Sequence, residues 1–76
     1  MGKRPSKWVI VVTFVDGERR YYGGYAAERT WTLVRGNALR YESELDARYH
    51  AYKLKDGYQR IADVSTEEIQ NPRATF

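Results

Sequence analysis

The densest apolar run, WVIVVTFV at residues 8–15, shows no alternation with polar residues. An unbroken series of β-branched and aromatic side chains predicts a strand buried on both faces, hence one in the middle of its sheet. Asp16 and Gly17 follow it. That pair favours a tight hairpin, because glycine accepts positive φ at no steric cost. The return strand is then residues 18–22, and Gly23 and Gly24 end it or bulge it. In RTWTLVR, residues 29–35, a period of two sets Trp31 and Leu33 on one face and Thr30, Thr32 and Val34 on the other. This predicts a third strand. Gly36 and Asn37 read as a two-residue turn into a short fourth strand at residues 38–41.

The period changes at Ser43. Its hydroxyl can accept a hydrogen bond from a first-turn amide, and Glu44 and Asp46 put negative charge at the positive end of a helix dipole. The helix ELDARYHAYKLK has Lys53 and Lys55 near its other end, and Gly57 is expected to stop it in a left-handed conformation. A last strand is expected at residues 58–64. Ser65 and Glu68 then repeat the capping signal, so TEEIQ reads as one helical turn that Asn71 and Pro72 close. The order β-β-β-β-α-β defines an α+β fold: a small antiparallel sheet of about four to five strands with one helix on one face. Residues 1–7 read as a basic flexible arm, 8–65 as the single α+β domain, and 66–76 as a short helical turn with a frayed tail.

The helix carries two apolar stripes. At roughly 100° per residue, Leu45, Tyr49 and Tyr52 share one arc, while Ala47, Ala51 and Leu54 lie opposite with His50 nearby. One small sheet can bury only one of them. Transfer energy favours burying the larger side chains, at about 25 cal/mol per Å². Tyrosine, however, keeps a hydroxyl that requires water or a partner. Either the alanines pack and the tyrosines form an exposed ridge, or the reverse holds.

A chain of 76 residues with two Trp, seven Tyr and two Phe must build its core from a few large side chains. At this length, folding buries only about 60% of the unfolded surface. With no cysteine there is no disulfide and no thiolate metal site, which fits a reducing, cytoplasmic setting. No apolar run approaches the roughly 20 residues of a membrane-spanning helix, so no membrane partner is expected. The net charge of +3 is uneven: residues 1–40 hold eight Lys/Arg and three Asp/Glu, and residues 41–76 hold five and seven. The basic half suits phosphates or an acidic protein surface.

Groups that make or break bonds are sparse. His50 is the single histidine, and a lone helical histidine is more often a satisfied surface residue than a ligand or catalyst. Ser6, Ser43 and Ser65 fall in the arm and at two predicted caps, outside any nucleophile-elbow pattern. Glu42, Glu44 and Asp46 straddle a helix start, where dipole compensation explains them better than acid–base chemistry. Gly23 and Gly24 lack the rest of a phosphate-binding loop. The expectation is a protein with no catalytic residues, no metal site and no cofactor.

RRYYGGY, residues 19–25, concentrates two cations and three phenols. On a strand, Arg20 and Tyr22 share one face and Arg19 and Tyr21 the other. Such pairs could stack bases beside phosphates. They equally suit protein recognition, because Arg and Tyr are enriched at interface hot spots. A third reading is that one face completes the core. The candidate binding residues are Arg19, Arg20, Tyr21, Tyr22 and Tyr25, with Tyr49 and Tyr52 as a second patch that could also form a homodimer.

The opening strand, the Asp16-Gly17 hairpin, then Ala38, Arg40, Tyr41 and Ser43 leading into a helix with Ala47, resembles a pattern found in small proteins of bacteriophages and mobile elements. It covers about residues 8–64. In size and α+β build the chain is also similar to several anti-CRISPR proteins. That resemblance implies a non-enzymatic inhibitor in the host bacterial cytoplasm, bound to a Cas subunit or complex. It assigns no functional residues, since that class shares no motif, and many of its members are acidic. The alternative is a small nucleic-acid-binding domain that uses the basic N-terminal half.

Overall fold

The unbroken apolar run takes the middle of the sheet, as its lack of alternation requires. In the computed structural model, which describes residues 6–24 and 30–70, β1 (Ser6–Phe14) lies between β2 (Arg19–Tyr22) and β4 (Ile61–Gln70). β3 (Trp31–Thr32) pairs with β2, so the antiparallel order is β3-β2-β1-β4. One helix, α1 (Glu44–Gly57), packs over β1 and β4, giving the expected α+β fold. No helix of the described residues is long and apolar enough to cross a membrane.

The core forms where α1 meets the sheet. Ile10 and Val12 of β1, Tyr22, Tyr41 and Ile61 pack against Ala47 and Ala51, all buried. The two alanines let the helix backbone approach closely. Val9 and Val11 point to the other face of β1 and are sealed as well. On that face Glu67 stands opposite Val9 and holds Arg35 at 3.5 Å.

The hairpin after β1 has a three-residue loop rather than two. Gly17 N–H donates to Phe14 C=O, and Phe14 N–H donates to Glu18 C=O. Gly17 takes φ +92°, the conformation its position demands. Ser43 caps α1 as expected, its Oγ accepting from Asp46 N–H at 3.1 Å.

Several expected boundaries move. Ser6 and Lys7, read as part of a flexible arm, belong to β1 and pair with Gln70 and Ile69. The third strand is confined to Trp31 and Thr32. Thr32 Oγ1 accepts from Val34 N–H, turning the chain so that Leu33 and Val34 face outward before a 3₁₀ turn at Arg35–Asn37. The fourth strand reduces to one bridge, in which Tyr41 exchanges both backbone hydrogen bonds with Trp8. Gly57 does not stop α1 with a left-handed turn; it stays helical, and Tyr58 closes the helix by donating to Leu54 C=O. The helical turn expected after Ser65 is instead part of β4, because residues 65–70 supply the partners that residues 6–11 of β1 need. The remainder of the arm and the tail at residues 71–76 lie outside the described residues.

Candidate functional site

The two stripes of α1 resolve in favour of the alanines. Ala47 and Ala51 are 0% and 1% exposed, whereas Leu45, Tyr49 and Tyr52 are 77%, 59% and 61% exposed. The core can use the small residues because Tyr22, Tyr41 and Trp31 already supply its aromatic volume. The large side chains are thereby left as a ridge. Lys53 sits 5.3 Å from the centre of the Tyr49 ring, within cation–π range. Tyr49, Tyr52, Lys53, Lys55 and Asp56 together line a shallow concavity. All five come from one helix, so it is an open dip and not an enclosed chamber.

A second feature adjoins it. Because α1 lies over β1 and β4, the β2 and β3 part of that face is filled by other rings. Trp31 stands edge-on to Phe14 at 5.2 Å and to Tyr58 at 5.5 Å, and is tilted against Tyr22 at 5.7 Å. A cleft between this cluster and α1 is lined by Tyr22, Tyr41, His50, Lys53, Leu54 and Tyr58. Lys53 therefore borders both concavities, which lie on either side of it. His50 is fixed between them: Nδ1 donates to Asp46 C=O at 2.9 Å, and the ring stacks on Tyr41 at 5.0 Å.

The candidates of RRYYGGY do not form one platform. Tyr22 is a correction: it is 4% exposed and held in the core against Trp31, so it forms part of the cleft wall and not an open platform. The alternation that predicted two faces also decides this, since Tyr22 shares a face with Val12 and Ile10 under the helix side. Arg20, on the same face, is half-buried and engaged by the Glu18 carboxylate and the Arg19 carbonyl. Tyr21 is half-buried on the opposite face, directly across from Val11. Arg19 is exposed. Tyr25 lies outside the described residues.

Trp31, Tyr58 and Lys53 were not among the sequence candidates. Trp31 read as a residue on one face of the third strand and Tyr58 as a strand start; their rings meet at the end of the helix, where Tyr58 lines the cleft. Among the described residues, no group of three His, Cys, Asp or Glu side chains could hold a metal ion. Buried polar side chains without a hydrogen-bond partner are likewise absent there. Comparison with protein-family models, with curated proteins and with solved structures finds no match for this chain.

Proposed function

We propose that the chain is a non-enzymatic binding protein that docks on another protein through the ridge of Leu45, Tyr49 and Tyr52 and the adjoining cleft beside Trp31 and Tyr58. The observation that carries this reading is the inversion of α1, which buries its alanines and presents its leucine and tyrosines. Tyrosine offers a large contact area with a polar tip and loses little conformational entropy on docking, which is why it recurs at hot spots. The resemblance to small phage proteins names the class of partner we favour, a Cas subunit or complex of a host defence system that docking would inhibit.

Direct binding of nucleic acid by the basic half draws less support. Arg20 is held by Glu18, Arg35 by Glu67 and Lys7 by Glu42, which partly neutralises the cations a phosphate backbone would meet.

The test is affinity capture on the immobilised chain from lysate of a CRISPR-bearing bacterium, beside the Tyr49→Ala, Tyr52→Ala double variant. The expected result is a Cas subunit retained by the wild type and lost from the variant. Truncating one hot-spot tyrosine costs about 2 kcal/mol, or roughly thirtyfold in affinity. Capture of no Cas protein, or equal capture by both forms, removes the reading. A steep loss of DNA or RNA binding with salt would install the nucleic-acid alternative. Light scattering that shows a dimer dispersed by the same substitutions would make the ridge a self-association surface.

A further inference from the structure

β4 is ten residues long and forms an edge of the sheet. Its backbone polarity follows from bonds on the far side of β1. Trp8 exchanges both backbone bonds with Tyr41, at 2.9 and 2.8 Å, and Phe14 N–H donates to Glu18 C=O at 2.8 Å. The even-numbered residues of β1 thus direct their N–H and C=O groups away from β4. In an antiparallel pair, facing residues alternate between exchanging both bonds and exchanging none. Trp8 faces Glu68, Ile10 faces Thr66 and Val12 faces Val64. Those three β4 residues therefore send their backbone donors and acceptors outward. Arg35 bears this out, since its Nη2 reaches the Glu68 carbonyl at 3.1 Å. Among the described residues, no strand lies beyond this edge.

The edge is also shaped and charged. Arg48, held by the Glu44 carboxylate, and Tyr52 of α1 line a groove with Val64 and Thr66 of β4. β4 contains Asp63, Glu67 and Glu68 and no Lys or Arg. Arg35 pairs with Glu67, but no cation pairs with the Asp63 or Glu68 carboxylate among the described residues. The register sets Asp63 on one face of the strand and Glu68 on the other. Carboxylates on an exposed edge oppose pairing between copies, because a second β4 would bring like charges together. They favour a strand of opposite charge.

We propose that the outer edge of β4, at Val64, Thr66 and Glu68, accepts an added strand from another protein, one with Lys or Arg opposite Asp63 and opposite Glu68. The backbone supplies affinity and the two carboxylates supply selection, as in other strand-addition complexes. This surface meets the tyrosine ridge at Tyr52, but its backbone donors and acceptors do not depend on the ridge.

The test uses the ¹⁵N-labelled full chain and two acetylated peptides about ten residues long, of alternating valine and threonine. One carries lysine at its third and eighth positions, the other glutamate. The lysine peptide is expected to shift the amide signals of Val64, Thr66 and Glu68 saturably, with at least roughly tenfold higher affinity than its glutamate twin. Thr66→Pro deletes the central outward N–H without touching a bond to β1, a placement an edge strand tolerates, and is expected to abolish the response. Should that variant misfold, the exposed pair Asp63→Lys with Glu68→Lys serves instead and is expected to reverse the preference between peptides. No saturable shift with either peptide overturns the proposal, as does equal affinity for both or a response confined to Tyr49 and Tyr52. Shifts at the same three amides that grow with protein concentration alone would assign the edge to a second copy and overturn it equally.

Discussion

The Trp31 ring stands edge-on to Tyr58, centroids 5.5 Å apart and planes 83° to one another, although the whole of α1 separates them in the chain. Trp31 belongs to a two-residue strand that backbone pairing alone would hold weakly. Its contacts with Phe14, Tyr22 and Tyr58 fasten that strand to the hairpin and to the end of the helix. Truncation of a fully buried aromatic costs about 3–5 kcal/mol, and Trp31 is half-buried, so Trp31→Ala is expected to cost about 2–3 kcal/mol. Urea unfolding measures this. A loss under roughly 0.5 kcal/mol, the range of an ordinary surface substitution, would show that the cluster does not hold β3 in place.

The orientation of α1 makes a prediction of opposite signs on its two stripes. Ala51 is 1% exposed against the sheet, and Ala51→Leu is expected to destabilise by about 1–3 kcal/mol through overpacking. Tyr52 is 61% exposed, and Tyr52→Ala is expected to change stability by no more than about 0.5 kcal/mol, helped by the better helix propensity of alanine. Thermal or urea denaturation of both variants decides it. A larger loss from Tyr52→Ala than from Ala51→Leu would mean the helix is turned the other way, and the docking ridge would go with it.

The sequence disclosed these stripes without disclosing which one is buried, because periodicity fixes the angle between two faces and carries no sign. The choice fell to packing: rings from Tyr22, Tyr41 and Trp31 occupy the core, and only small residues then let α1 close on the sheet. The central strand, the Asp16-Gly17 hairpin and the Ser43 cap were legible because each rests on neighbours in the chain. The extent of β4 was not. Its pairing is with residues some sixty positions earlier, and no local signal reports that. RRYYGGY stayed open for a related reason. Alternation set Arg20 and Tyr22 on one face and Arg19 and Tyr21 on the other without saying which face completes the core, and packing gave Tyr22 to it. Trp31 and Tyr58 were visible as residues, but their meeting was a property of the folded chain.

Two serines with the same local pattern should respond differently. Ser43 and Ser65 each precede an acidic residue three positions on, Asp46 and Glu68. Ser43 caps a real helix, and Ser43→Ala is expected to cost about 1 kcal/mol through the lost bond to the Asp46 amide. Ser65 is an exposed strand residue opposite Val11, and Ser65→Ala is expected to stay within roughly 0.5 kcal/mol of the wild type. Chemical denaturation separates the two. Equal losses at both positions would argue that residues 65–68 do form a capped turn.

The glycines give the sharpest contrast, because one carries a positive φ and the other does not. Gly17 has φ +92°, where a side chain is strained by about 1–2 kcal/mol even though nothing stands within 4 Å of the added Cβ. Gly17→Ala is expected to destabilise by that amount. Gly57 ends α1 with helical geometry and equally open space, so alanine there meets no strain and lowers the entropy of the unfolded chain. Gly57→Ala is expected to stabilise the protein by about 0.4–1 kcal/mol. The two substitutions add the same methyl group into the same emptiness, so the difference in sign isolates backbone conformation from packing. If Gly57→Ala instead destabilises as Gly17→Ala does, α1 ends in a left-handed turn at Gly57. Tyr58 would then leave the helix at another angle, and its contact with Trp31 would not stand.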